Sequence, residues 1–279
     1  MCIRDSGNKV GLRLFGNLTY SKNKIVFRDE PAMQYAYQKS EGTRYGEFYG
    51  YIAEGYFQSE EEIKKSPRQM RELAPGDIKY KDLNDDGVID ANDQCYLGKS
   101  WFPSWSYGMG FNINYHNFDL ALFFQGVSDV SIMANGGSID TGNGDWGASG
   151  VGIVPFTGMG LNPSNVITKA LDRWTADNPR ADAWYPRMTA NATTNDNNYV
   201  NSTHWLKDGS YLRLKQASLG YTLENKKLMD KGIEYLYFYL SGQNLLTFSK
   251  FKLWDPELGS NGAKYPLSRM VTLGMRVSF

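Results

Sequence analysis

The chain has 279 residues, with 30 basic and 30 acidic side chains and a formal charge of zero, so nothing in it marks a nucleic-acid partner. Aromatic residues make up 14%, including 19 Tyr and 7 Trp, which suits a barrel girdled by aromatic rings. No stretch approaches the ~18 apolar residues of a membrane helix, so a membrane reading of this chain has to be a barrel reading.

The opening residues 1–6 fit neither a signal peptide nor a strand. They are expected to be a non-native lead-in, with residues 7–279 the native portion and the true N-terminus missing. Cys2 and Cys95 match no metal or redox spacing. The first strand follows: Val10, Leu12, Leu14, Leu18 and Tyr20 alternate with Gly11, Arg13, Phe15, Asn17 and Thr19. Residues 21–104 are long and irregular. A second strand from about Trp105 to Tyr115 sets Tyr107, Met109, Phe111, Ile113 and Tyr115 opposite Gly108, Gly110, Asn112 and Asn114. His116-Asn117 reads as a tight turn. A third strand has Phe118, Leu120, Leu122 and Phe124 opposite Asp119, Ala121, Phe123 and Gln125.

Residues 127–208 form a second long polar segment. The fourth strand, about Ser210 to Tyr221, changes phase between Leu214 and Ala217, which a bulge near Lys215-Gln216 would reconcile. After a shorter turn at 223–232, a fifth strand from Ile233 to Leu245 has bulky residues on both faces. A third long segment, 246–268, leads to the last strand. There Val271, Leu273, Met275, Val277 and Phe279 oppose Met270, Thr272, Gly274, Arg276 and Ser278.

One apolar and one polar face per strand suits either a strand between lipid and a polar lumen or a strand of a soluble sandwich. The connections separate the two. Their lengths alternate long, short, long, short, long, so an antiparallel reading puts every long segment at one end, as in outer-membrane barrels. Arg13, Asp119 and Arg276 all fall on the polar phase, and Arg269 on the apolar phase only at the strand's outer end. Tyr107 and Tyr115 bracket the second strand with a spacing of roughly 20 Å, near the height of a barrel's apolar band. The expected fold is all-β: about six antiparallel transmembrane strands, the C-terminal part of a larger barrel, with long extracellular loops. Six strands cannot close a pore, and an open edge is not tolerated in lipid.

Two helices are expected in the external loops. Ser59-Glu60-Glu61-Glu62 has the capping-box form before Ile63. Val166, Ile167, Ala170, Leu171 and Trp174 share one helical face. The segment Asp82–Asp93 carries oxygen side chains at positions one, three, five, nine and twelve, with Gly87 at six. Calcium takes six to eight hard oxygens around such a turn. Asp82, Asn84, Asp86, Asp90 and Asp93 would supply side chains and Val88 its carbonyl. Position twelve is Asp where Glu is usual, which points to a structural Ca2+ site bound through one oxygen there. An acidic turn without an ion is the plainer alternative. The two histidines, His116 and His204, belong to no catalytic or metal arrangement, and no enzyme activity is expected.

Further motifs run through the chain: Gly50-Tyr51-Ile52-Ala53-Glu54-Gly55-Tyr56-Phe57, Pro75-Gly76-Asp77, Asp86-Gly87-Val88-Ile89-Asp90, Arg173-Trp174, Tyr185-Pro186-Arg187, Asp208-Gly209-Ser210-Tyr211-Leu212-Arg213, Gln243-Asn244-Leu245, Asp255-Pro256-Glu257 and Tyr265-Pro266-Leu267. In this order they resemble the SusC/RagA family of TonB-dependent outer-membrane transporters of Bacteroidetes. The resemblance implies a barrel of about 22 strands closed by an N-terminal plug. It also implies a SusD-like surface lipoprotein as lid, energy from the TonB complex, and a glycan or peptide substrate. The plug and the earlier strands are absent from this chain. The C-terminal strand ending in Phe279 would be read by the outer-membrane assembly machinery. The alternative is a secreted, calcium-dependent carbohydrate-binding or adhesin module with a sandwich core. It predicts a second sheet over the apolar face.

Overall fold

Alternating runs of the kind read above form strands wherever they are long enough to pair. The computed structural model describes residues 10–135, 167–188, 197–262 and 264–279. In chain order its strands are β1 (Val10–Tyr20), β2 (Glu47–Gly50), β3 (Ala53–Tyr56), β4 (Ile78–Tyr80), β5 (Cys95–Ser100) and β6 (Trp105–Tyr115). Then come β7 (Phe118–Ser128), β8 (Ser131–Met133), β9 (Leu206–Asp208), β10 (Tyr211–Leu223), β11 (Tyr235–Ser249) and β12 (Met270–Ser278). Two short α-helices, α1 (Glu60–Lys65) and α2 (Lys226–Met229), lie in connections. No helix among the described residues is long and apolar enough to cross a membrane.

The six long strands form one antiparallel sheet in the order β1-β6-β7-β10-β11-β12. Register aligns the two phases across the whole sheet. One row runs Ile113, Leu120, Leu219, Leu240, Leu273, and the next Phe111, Leu122, Ala217, Gly242, Val271. The opposite face reads Arg13, Asn112, Ala121, Ser218, Ser241, Thr272. Nothing among the described residues covers the apolar face: Leu273 is 80% exposed and Val271 69%. A soluble sandwich would bury this face against a second sheet. Arg13, Asp119 and Arg276 lie on the polar face, as expected, and Arg269 lies just before β12.

Rings mark both ends of the apolar face. Tyr20 meets Trp105 at 4.5 Å at one end, and Phe118 meets Tyr221 at 4.7 Å at the other. The bulkiness of β11 on both faces has a simple solution. Leu236, Phe238 and Leu240 join the apolar rows, while Tyr237 and Tyr239 lie over glycines of neighbouring strands. A Cβ at Gly274 would come within 2.3 Å of the Tyr239 ring. The phase change in β10 is a register shift between Leu214 and Gln216, where the sequence placed a bulge. β11 answers it with two residues, Asn244 at φ 52° and Leu245, set between paired Gln243 and Leu246.

The connections sort by end. The two-residue turn with His116 (φ 52°) and the turn holding α2 leave one end of the sheet. The segments after β1, β7 and β11 all leave the other. These long segments are not irregular. The first contains the two-stranded sheets β2-β5 and β3-β4 and the second contains β8-β9, none of which the sequence pattern announced. α1 is capped as expected, Ser59 accepting from the Glu62 amide at 3.2 Å. Glu62 closes the cap one residue earlier than the motif predicts, accepting from the Gln58 amide at 2.9 Å.

The second expected helix does not form over the described residues. Only Thr168–Leu171 makes a 3-10 turn. Beyond it the chain pairs with itself: the Trp174 amide donates to Tyr185 and the Tyr185 amide to Asp172. Trp174 is buried while Leu171 is exposed, so the anticipated helical face is split. Residues 1–6, Cys2 and Val166 lie outside the described residues. Cys95 is a free, buried thiol, pushed up in pKa by burial.

Candidate functional site

The long segments pack on one another into a cap at one end of the sheet. Its core draws on all three. Tyr51, Tyr56, Ile78, Tyr80 and Ile89 come from the first, and Met133, Trp174, Tyr185 and Trp205 from the second, with Leu253 and Trp254 packed against them from the third. Trp205 is fully buried, in ring contact with Trp184 (5.4 Å), Tyr185 (5.6 Å) and Tyr199 (5.3 Å).

Buried amides hold the first two segments together. Asn198 accepts from the Ile78 amide (2.9 Å), donates to Asp77 (2.8 Å), and offers its carbonyl to the Trp205 indole N–H (2.7 Å). Asn197 and Gln69 bond each other at 2.8 Å, and both donate to the Ile78 carbonyl. Buried polar groups this well satisfied fix one packing, because any other leaves some unpaired.

The sequence motifs turn out to be partners of one another. Asp77 of Pro75-Gly76-Asp77 pairs with Arg187 of Tyr185-Pro186-Arg187 at 2.7 Å. Arg213, only 1% exposed at the root of β10, pairs with Asp255 at 2.5 Å and with Glu257 at 3.5 Å. These residues therefore fasten loop to loop and loop to strand.

In the segment Asp82–Asp93 the centre turns sharply, with Asp85 at φ 58° and Gly87 at φ 80°. Asp82 accepts from the amides of Asp85 and Gly87, at 2.7 and 2.8 Å. Asp86 accepts from Val88 and from Asn84, both at 2.8 Å. Asp93 is buried and accepts from Leu83 (2.7 Å) and Asp90 (2.9 Å), while Asp90 accepts from Asn92 at 2.7 Å. The donor chemistry suits calcium, and each carboxylate oxygen keeps a further lone pair. The side chains, however, serve the loop's own amides. Among the described residues, no three His, Cys, Asp or Glu side chains converge into a group that could hold a metal.

His204 sits beneath the Trp184 carbonyl, its Nε2 at 3.2 Å, with the Tyr56 hydroxyl at 3.4 Å. Burial and nearby Lys207 push its pKa down to about 4, so it is neutral at ordinary pH. A cavity of about 910 Å³ opens between the second and third segments, lined by Lys169, Trp184, Lys207, Lys250, Lys252 and Trp254 among others. A smaller one of about 520 Å³ shares Lys207 and Asp208 with it. Sequence reasoning missed this cavity. Lys250, Lys252 and Trp254 are close in sequence, but nothing local says that Lys169 and Lys207 meet them.

No family model matches the chain. It is 27% identical over 291 residues to TonB-dependent receptor P3 of Formosa agariphila, covering 94% of this chain and 26% of that protein. It is 30% identical over 241 residues to TonB-dependent receptor P26 of the same organism, covering 81% of this chain and 22% of that one. In fold it is similar to the RagAB peptide importer in its open-open state, with a TM-score of 0.66 at 21% identity over 100% of this chain and 27% of that one. A second structure, of the RagAB peptide transporter, gives 0.67 at 21% identity over 97% and 27%. The chain thus spans about a quarter of the length of these relatives.

These likenesses are to TonB-dependent receptors, which are outer-membrane proteins, and the sheet is part of an outer-membrane β-barrel. In fold the counterpart is RagAB, in keeping with the resemblance to the SusC/RagA family read from the motifs. The relatives are receptors and importers, not enzymes.

Proposed function

We propose that the complete protein imports oligosaccharides or similar nutrients across the outer membrane, using energy passed through TonB, with a SusD-like lipoprotein seated over the cap. The observation that carries this reading is the division of the sheet into a bare apolar face and a polar face, roofed at one end by a cap with an open cavity. The RagAB structures are of a peptide importer, which keeps peptides as the second substrate class. The aromatic C-terminus, Phe279, suits recognition of β12 by the outer-membrane assembly machinery. Deleting the gene should abolish uptake of one labelled oligomer class, and a complementing copy lacking its TonB-contacting segment should not restore it. Full uptake by that copy overturns the energised-import reading.

We further propose that Asp82–Asp93 binds calcium as a structural ion, on the strength of its oxygen spacing and its turn at Gly87. Limited proteolysis of the complete receptor should show residues 58–104 protected by calcium and opened by a chelator. Asp82→Ala with Asp86→Ala should remove the difference. Equal cleavage with and without calcium in the unaltered protein overturns it.

A further inference from the structure

The 910 Å³ cavity is unbalanced in charge. Among the described residues, four lysines line it, Lys169, Lys207, Lys250 and Lys252, against one acid, Asp208. Lys169 is already paired with Asp172 at 2.8 Å. Lys207 gives one proton to the His204 carbonyl at 2.6 Å and stands over the Trp184 ring at 5.2 Å, which leaves two of its three donors. Lys250 and Lys252 are exposed and have no ion-pair partner among the described residues. Burial and Lys169 together push the Lys207 pKa down, the mark of a cation short of negative company.

The same cavity displays two fixed aromatic faces. Trp184 is held by Tyr185 at 4.6 Å and by Trp205. Trp254 donates to the Gly259 carbonyl at 2.8 Å, meets Phe251 edge-on at 4.8 Å, and lies close over Gly262, where a Cβ would approach to 2.5 Å. Rigid indoles beside flexible ammonium groups match a ring with apolar C–H faces and a pendant anion. The rings hold their pose at no entropic cost, and the lysines adjust to the charge.

We propose that this cavity binds acidic oligosaccharides, carboxylated or sulfated, with the anion at Lys207, Lys250 and Lys252 and a sugar ring against Trp254. This deepens the import reading and rests on it for its biological purpose, but the test is binding alone. The complete receptor, purified in detergent, is titrated calorimetrically with a short oligogalacturonate, its carboxyl-reduced neutral counterpart, a sulfated galactan oligomer and an oligoglutamate of equal length. Either acidic sugar should bind roughly tenfold tighter than the neutral one and weaken with salt. The two acidic arms separate carboxylate from sulfate preference. Lys250→Gln with Lys252→Gln should erase that preference, while Trp254→Ala should weaken all the sugars. The proposal is overturned if the neutral oligomer binds as well as both acidic ones, if the double lysine variant keeps the preference, or if oligoglutamate matches the sugars. Loss of uptake with this binding pattern intact would instead count against import.

Discussion

The sheet and the cap are built on opposite terms. In the sheet the large apolar side chains are on the outside, and backbone hydrogen bonds between long paired strands do the holding. In the cap, Trp205, Tyr185 and Ile78 are sealed inside, and side-chain amides and ion pairs join segments far apart in sequence. Lipid solvates the first region's apolar groups, whereas the second must bury its own, as any water-soluble domain does. One chain therefore carries a membrane fold and an aqueous fold, and the boundary runs along the ends of β1, β6, β7, β10, β11 and β12.

The sharpest way to break this contrast is at Trp205. Trp205→Ala in the complete receptor should cost the cap about 3–5 kcal/mol, the range for emptying a large buried site. Protease should then cut within the long segments while the barrel keeps its heat-modifiable mobility on a gel. If barrel and cap are lost together, the two regions are one cooperative unit. Next comes the membrane face. Leu273→Arg should cost about 2–4 kcal/mol in folding into lipid vesicles, whereas neighbouring Thr272→Arg, on the polar face, should cost far less. Equal penalties would sink the division of faces.

The smallest effect is that of acid. His204 is held neutral, with a folded pKa near 4 against an unpaired value near 6.5. Between these pH values the unfolded cap binds the proton and the folded cap does not, so stability falls as pH drops through that window. The loss is at most about 2–3 kcal/mol. His204→Gln should flatten the protease resistance of the cap between pH 7 and pH 4, where the parent weakens. A parent with flat resistance would mean that His204 is open to water.

The sheet was legible because its strands are nine residues or longer, which gives a two-residue alternation room to show. Even the irregularity in β10 showed itself, since a bulge shifts phase and leaves Leu214 and Ala217 out of step. The cap was hardly legible. Its strands are three to six residues long, and two of its small sheets are broken by register shifts, so alternation has no room to show. Asn197 and Asn198 look like loop filler in sequence, and their value lies in partners some 120 residues away. The motifs marked the right residues, Asp77, Arg187, Arg213 and Asp255, without saying that they pair. Beyond Thr168–Leu171 a helical spacing lost to backbone pairing of Asp172 and Trp174 with Tyr185, a tertiary choice that overrides local preference.

The pooling of one core by three connections has a mechanical consequence. Met133 donates its amide to Ser260, Tyr51 bonds across to Asn201, and Trp254 leans on the shared rings, so each connection is braced by the other two. None can hinge outward on its own without wetting side chains that the others keep dry. This stretch of the rim therefore behaves as a fixed awning.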